Sequence, residues 1–180
     1  MYPLIRMAKA WAMARKAKPL PVLGEHVSHH MCLPWDLDIW HELNNGRTLT
    51  IYDLGRIPLV MRTGLWATVR RHGWGLTMAG ATVRYRRRIR VFERITMRSR
   101  AVYWDARFLY LEQSMWTAGG ECANHVVYRA AFTGPGGIVP PAQVMAAQGH
   151  TRPSPPAPPF VAAWIEAETL RPWPPVTAAG

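Results

Sequence analysis

The chain has 180 residues, 49% of them apolar and 18% charged, which fits one globular domain with additional terminal segments. Lys and Arg total 22 against 11 Asp and Glu, a formal net charge of +11 that draws polyanions: nucleic acid, anionic membrane or the phosphates of a substrate. Two cysteines without CxxC or Cys/His zinc spacing argue against a disulfide-stapled scaffold and a zinc site, and no run reaches the ~18 apolar residues of a membrane span.

Residues 3–18, PLIRMAKAWAMARKAK, read as a short basic helix ended by Pro19 and Pro21. Leu4, Ile5, Ala8, Trp11 and Ala12 share one stripe. Such a helix either lies on a membrane surface or packs on the domain with its cations in water. The segment lacks the uninterrupted apolar core of a secretory signal, so the expected compartment is the cytoplasm.

Glu25 to Leu33, EHVSHHMCL, reads as a first strand; alternation sends His29 and His30 to opposite faces, which argues against a metal site. A long helix is expected from Asn45 to about Arg62, with Leu49, Tyr52, Ile57 and Val60 on its buried stripe. Pro58 lacks an N–H and crowds the Leu54 carbonyl, so a kink or break is expected there. Leu65 to His72 forms a second, short helix stopped by Gly73.

After Gly73 the period changes to two. Leu76 to Ile89 reads as a strand with Val83, Tyr85 and Ile89 on one face and Arg84, Arg86, Arg88 and Arg90 on the other. Strands follow over Glu93–Trp104, Arg107–Trp116 and Cys122–Phe132, separated by turns at Asp105-Ala106 and at Ala118-Gly119-Gly120. Short turns imply antiparallel pairing, and a sheet with one apolar face needs the long helix as its cover. GPGG at 134–137 is expected to close the compact part. Beyond it come a short helix through Gln148, the semi-rigid RPSPPAPP at 152–159, and a helix from Phe160 to Leu170 docking through Phe160, Trp164 and Ile165. The expected organisation is a basic helix over 1–20, a compact domain over 21–137 and a Pro-rich extension with short helices over 138–180.

Between the first strand and the long helix lies DLDIWHELNNGR, residues 36–47. It carries three carboxylates, Asp36, Asp38 and Glu42, then Asn44, Asn45 and Gly46 where the helix begins. Asn is a favoured N-cap, and a helix start offers free N–H donors and partial positive charge to an oxygen that gains charge in a reaction. A carboxylate beside it serves as base or nucleophile; equally, these residues serve as plain turn and cap formers.

The stretch resembles the signature of hot-dog-fold thioesterases of the 4-hydroxybenzoyl-CoA thioesterase type, roughly Asp-x-Asp-x-x-x-His-x-Asn-Asn, at Asp36, Asp38, Glu42, Asn44 and Asn45. The likeness continues through ATVRYRRRIRVFERITMRSRAVYWDARFLYLEQ, which is similar to later strands of the same family, especially its thioesterase-superfamily-member-6-like branch. Two positions depart from the pattern: Glu42 stands where His is usual, and Thr48 where an aromatic is common. The resemblance implies an α+β hot-dog fold, an antiparallel β-sheet wrapped around a long central α-helix. It implies hydrolysis of acyl-CoA, with coenzyme A as part of the substrate and no other cofactor or metal. It implies Asp38 in the catalytic aspartate position, Glu42 assisting or leading, and polarisation of the carbonyl near Asn45 and Gly46, with Asn44 beside them. It also implies a site between subunits of a homodimer or dimer of dimers. The alternate arginines, Arg86 and Arg88 among them, suit coenzyme A phosphates or, equally, a solvated sheet face. Two other readings stand beside this one: a non-catalytic acyl-CoA or lipid binder, and a basic nucleic-acid or membrane-surface binder. The last rests on charge alone, without a recognised nucleic-acid motif.

Overall fold

The computed structural model describes residues 2–176. Six antiparallel strands form one sheet: β1 (His26–Met31), β2 (Gly75–Tyr85), β3 (Arg94–Trp104), β4 (Phe108–Thr117), β5 (Cys122–Gly134) and β6 (Gly137–Val139). The main order is β1-β3-β4-β5-β2. The short β6 pairs β5 with Val139 opposite Phe132, just past the end of β4, whose Phe108 faces Ala131. The helices are α1 (Leu4–Lys16), α2 (Asn45–Arg62), α3 (Leu65–Arg71), α4 (Pro141–Ala147) and α5 (Pro159–Leu170).

The long helix lies against the sheet because its stripe of Ile51, Tyr52, Leu54 and Leu59 meets Met97, Leu111, Met115, Val126 and Phe132 in one core. Gly55 sets the distance: a Cβ there would run into Met97 Sδ and Ser99 Oγ on β3. The result is the hot-dog fold, a sheet curled around α2. The helix spans Asn45–Arg62 as expected but is not broken at Pro58. Pro58 is buried, and α2 is held by α1 on one side and by β1 and β3 on the other. Tertiary packing here outweighs the local cost of a missing N–H.

The alternation of β5 serves two faces. Val126, Tyr128, Ala130 and Phe132 face the α2 core, while Val127 packs with Tyr110 and the fully buried Val161 of α5. Trp164 and Ile165 join that outer cluster as expected; Phe160 is 47% exposed and meets His125 edge to face. Compact packing continues past residues 134–137. Beyond β6, Val144 and Met145 of α4 enter the main core, and Ser154 Oγ accepts from the Trp104 N–H. A Pro-rich composition marks a stiff chain; whether it leaves the surface depends on the apolar residues that flank it.

The arginine ladder also differs from the sequence reading. Strand β2 ends at Tyr85, opposite Asn124. The amides of Arg86 and Arg87 both donate to the Ala123 carbonyl, and the Ile89 carbonyl accepts from Leu43 N–H at 2.8 Å. Two successive amides on one acceptor turn the chain out of the ladder. Arg84 stays on the strand, whereas Arg86 to Arg90 fold back across the start of α2.

Candidate active site

Asp36 organises the approach to α2. It ends the 3-10 turn Pro34–Asp36 and is fully buried. Its Oδ2 accepts from Arg6 Nη1 at 2.6 Å and from Leu33 N–H at 3.0 Å, and its Oδ1 accepts from Arg47 Nε at 2.7 Å. Burial alone would raise the Asp36 pKa; the bonds from Arg47, Leu33 and Arg6 outweigh it and hold the carboxyl below the usual range. The residue is a structural tie, joining α1 to the first turn of α2.

Asp38 is spent on its own loop. Leu37 bridges Leu43, Asp38 N–H donates to the Glu42 carbonyl, and Asp38 Oδ1 accepts from Trp40 N–H at 2.9 Å and from Glu42 N–H at 3.4 Å. The loop is tight enough to place His41 at φ 57°, and it holds Ile39 and Trp40 out, 82% and 71% exposed. Asn44 Oδ1 accepts from Arg47 N–H at 3.0 Å, the N-cap of α2. The next two amides, Asn45 and Gly46, donate to no protein acceptor among the described residues.

A cleft of about 170 Å³ opens at this helix start, lined by Glu42, Asn45, Thr48, Tyr85, Asn124 and the Arg86–Arg88 turn. Tyr85 Oη donates to the Asn45 carbonyl at 3.2 Å and closes one side. Glu42 lies 2.8 Å from Arg88 Nε, an ion contact in which the N–H is not aimed at the oxygen. Tyr52 Oη donates its one proton in a short bond to Oδ1 of the buried Asn124, with the Asn124 carbonyl 3.2 Å from the same hydroxyl.

Of the residues singled out in the sequence, Glu42, Asn45, Arg86 and Arg88 come together in this cleft. Asp38, Asn44 and Gly46 are not among its lining residues. Asp38 instead closes its own loop: a five-residue loop has few ways to satisfy its amides, and the nearest carboxylate takes two of them. Sequence reasoning missed Asn124, Tyr85 and the lining role of Thr48. The available signal was Asn124 itself, an amide in a strand position between Ala123 and His125.

Residues 32–165 match the family model described as the thioesterase-like superfamily. Protein THEM6 of Xenopus laevis is 38% identical over 102 residues, 54% of this chain and 49% of that protein, so the chain spans about half the length of the relative. The probable thioesterase YbaW from Escherichia coli superposes with a TM-score of 0.64 at 12% identity, over 70% of this chain and 98% of that one. The smu.793 protein of Streptococcus mutans, solved bound to acetyl CoA, gives a TM-score of 0.53 at 9% identity over 66% and 86% of the two chains. At these identities the structural likenesses concern the fold. Among the described residues, no helix is long and apolar enough to cross a membrane.

Proposed function

Because this chain belongs to the thioesterase-like superfamily, we propose that it hydrolyses acyl-CoA thioesters in the cleft at the start of α2. One observation carries the reading: a carboxylate, Glu42, lines the same small cleft as Asn45, whose N–H is left free by the helix.

A thioester asks for little else. Its leaving thiol has a pKa near ~8.5, so the thiolate departs without full protonation. The Asn45 amide, backed by the partial positive charge of the helix start, receives the developing oxyanion; one such donor is typically worth about 2.7–4 kcal/mol. Glu42 takes a proton from water as the water oxygen bonds to the carbonyl carbon. The tetrahedral adduct then collapses, the C–S bond breaks, and the proton on Glu42 passes to the thiolate. Asp38, already holding two amides, keeps the loop in shape.

Arg86, Arg87 and Arg88 surround the mouth and suit the phosphates of coenzyme A, which is substrate and not a resident cofactor. The acetyl CoA in the smu.793 structure supports that choice of thiol. The outer edge of β2 has no strand partner among the described residues, which supports pairing with a second copy and a cleft completed across a homodimer.

The Glu42–Arg88 contact favours a second reading, an acyl-CoA binder without turnover, because a carboxylate beside a guanidinium is a weaker base. Thiol release measured over short, long and aromatic acyl-CoAs separates the two. The expected result is turnover that falls about 10²–10⁴-fold in Glu42→Gln and much less in Asp38→Asn. Tight acyl-CoA binding without thiol release establishes the binder. Collapse in Asp38→Asn with full activity in Glu42→Gln refutes the assignment of the carboxylate.

A further inference from the structure

A second and larger cavity, about 850 Å³, lies between α1, β1 and the C-terminal half of α2. It shares no lining residue with the cleft. The two sit toward opposite ends of α2, whose seventeen residue steps from Asn45 to Arg62 span roughly 25 Å at 1.5 Å per residue. The volume falls within the range of about 300–1,000 Å³ typical of small-molecule sites.

Its walls have a one-sided chemistry. Ala10, Met13, Ala14, Leu54, Pro58 and Ile95 supply an apolar floor, and no Asp, Glu, Trp, Tyr or Phe lines it. The charged lining residues are all basic: Arg6, Lys9, Arg62 and Arg94. Arg6 is spent on Asp36, whereas Lys9, Arg62 and Arg94 pair with no carboxylate among the described residues. Arg62 is the innermost of these three, half-buried where the other two are exposed. Its Nε donates to the Lys18 carbonyl at 3.0 Å and its Nη1 to His26 Nδ1 at 2.8 Å. A His26 ring that accepts at Nδ1 keeps its proton on Nε2, so it adds a second donor and no negative charge. Burial first, then Arg62, lowers the His26 pKa to about 4; burial, then Arg6, does the same for His30, so both rings are neutral at neutral pH. Nothing in the lining offsets the Arg62 charge.

We propose that this trough binds the anion of a long-chain fatty acid, its chain on the apolar floor and its carboxylate on Arg62. Within α1 the lining runs from Arg6 to Ala14, roughly 12 Å, and Ala17 just beyond the helix end continues the wall toward the ~15 Å that one lipid chain occupies in half a bilayer. The absence of Trp, Tyr and Phe leaves no large stacking platform for a nucleobase, and the absence of acids leaves no partner for a cationic peptide. An intact bilayer offers headgroups to exposed side chains; a half-buried guanidinium is reached by a single extracted chain. The proposal goes beyond the thioesterase reading and does not depend on turnover.

The test is displacement of a fluorescent polyene fatty acid from the full chain, with laurate and dodecanol as competitors. Laurate is expected to compete at one per chain and at least tenfold more tightly than dodecanol. Arg62→Gln abolishes that preference, Ala10→Trp, which fills the floor, weakens both competitors at least tenfold, and Glu42→Gln changes neither. Should Arg62→Gln fail to fold, the laurate preference of the wild-type chain and its response to Ala10→Trp still decide the matter. Equal competition by laurate and dodecanol in the wild-type chain, no saturable binding, or binding lost in Glu42→Gln and kept in Ala10→Trp would each overturn the proposal. Turnover is read separately, so a chain without thiol release that still prefers laurate refutes only the enzymatic reading.

Discussion

The two ends of α2 carry opposite surroundings. At the start, a small polar cleft combines one carboxylate, Glu42, with Asn45, Asn124 and three arginines on a turn. At the far end, a much larger trough offers an apolar floor and three cations, Lys9, Arg62 and Arg94, that pair with no carboxylate among the described residues. Both use the same helix, yet the first is built by loops that fold back on it and the second by a neighbouring helix and a sheet edge. The cleft is suited to a reacting group that changes charge, and the trough to a ligand whose charge is fixed. Asp36 ties the two together, because one of its arginines belongs to α1, the wall of the trough, and the other to the first turn of α2.

The largest effect is therefore expected at Asp36. Asp36→Asn leaves Arg6 and Arg47 beside a neutral group in a buried position, and breaking such a pair typically costs about 3–5 kcal/mol. Urea unfolding should show a midpoint lowered accordingly, with both regions disturbed at once. The same residue sets an acid limit. Its folded pKa is depressed, so its contribution is fully present above the ordinary carboxylate value of ~3.9 and is lost as pH falls through the lower folded value. A stability profile taken downward from pH 5 should fall more steeply in the wild-type chain than in Asp36→Asn.

A smaller effect confined to the cleft is expected from Tyr52→Phe. It leaves the buried Asn124 oxygen without its donor, at a cost of about 1–3 kcal/mol. Acyl-CoA binding should weaken while laurate binding at the trough stays unchanged; equal losses at both sites would mean that the two ends do not respond separately. The smallest is Asn44→Ala, loss of an N-cap, about 1 kcal/mol by thermal or urea unfolding. It should fray the first turn of α2 and affect the cleft before the trough.

Much of the fold was legible in the order of residues. The start of α2 was legible in Asn44, whose side chain caps the first helical turn; of the expected buried stripe, Tyr52 and Val60 are buried, whereas Leu49 and Ile57 are only partly so and Ile51, Leu54 and Leu59 take their place. The succession of strands after Gly73 was readable because alternation and turn residues act over a few positions. Pro58 does not break the helix, since its cost is local and its compensation comes from α1, β1 and β3. The arginine run departs from expectation in the opposite way. Its alternation is a strand signal, but the chain leaves the ladder where the two amides of Arg86 and Arg87 meet one carbonyl of β5.

Local chemistry along the chain was enough to define the elements, the family likeness and the presence of carboxylates next to a helix start, because caps, periods and turns are properties of neighbouring residues. Choosing the carboxylate that faces the cleft took the folded chain. Asp38 and Glu42 are four positions apart and chemically alike; loop closure commits one to backbone amides and delivers the other, with Asn124 and the arginine turn, to the same small space. The trough was equally hidden, since its lining runs from Arg6 to Ala118 and its character lies in what is missing from it, a counter-charge.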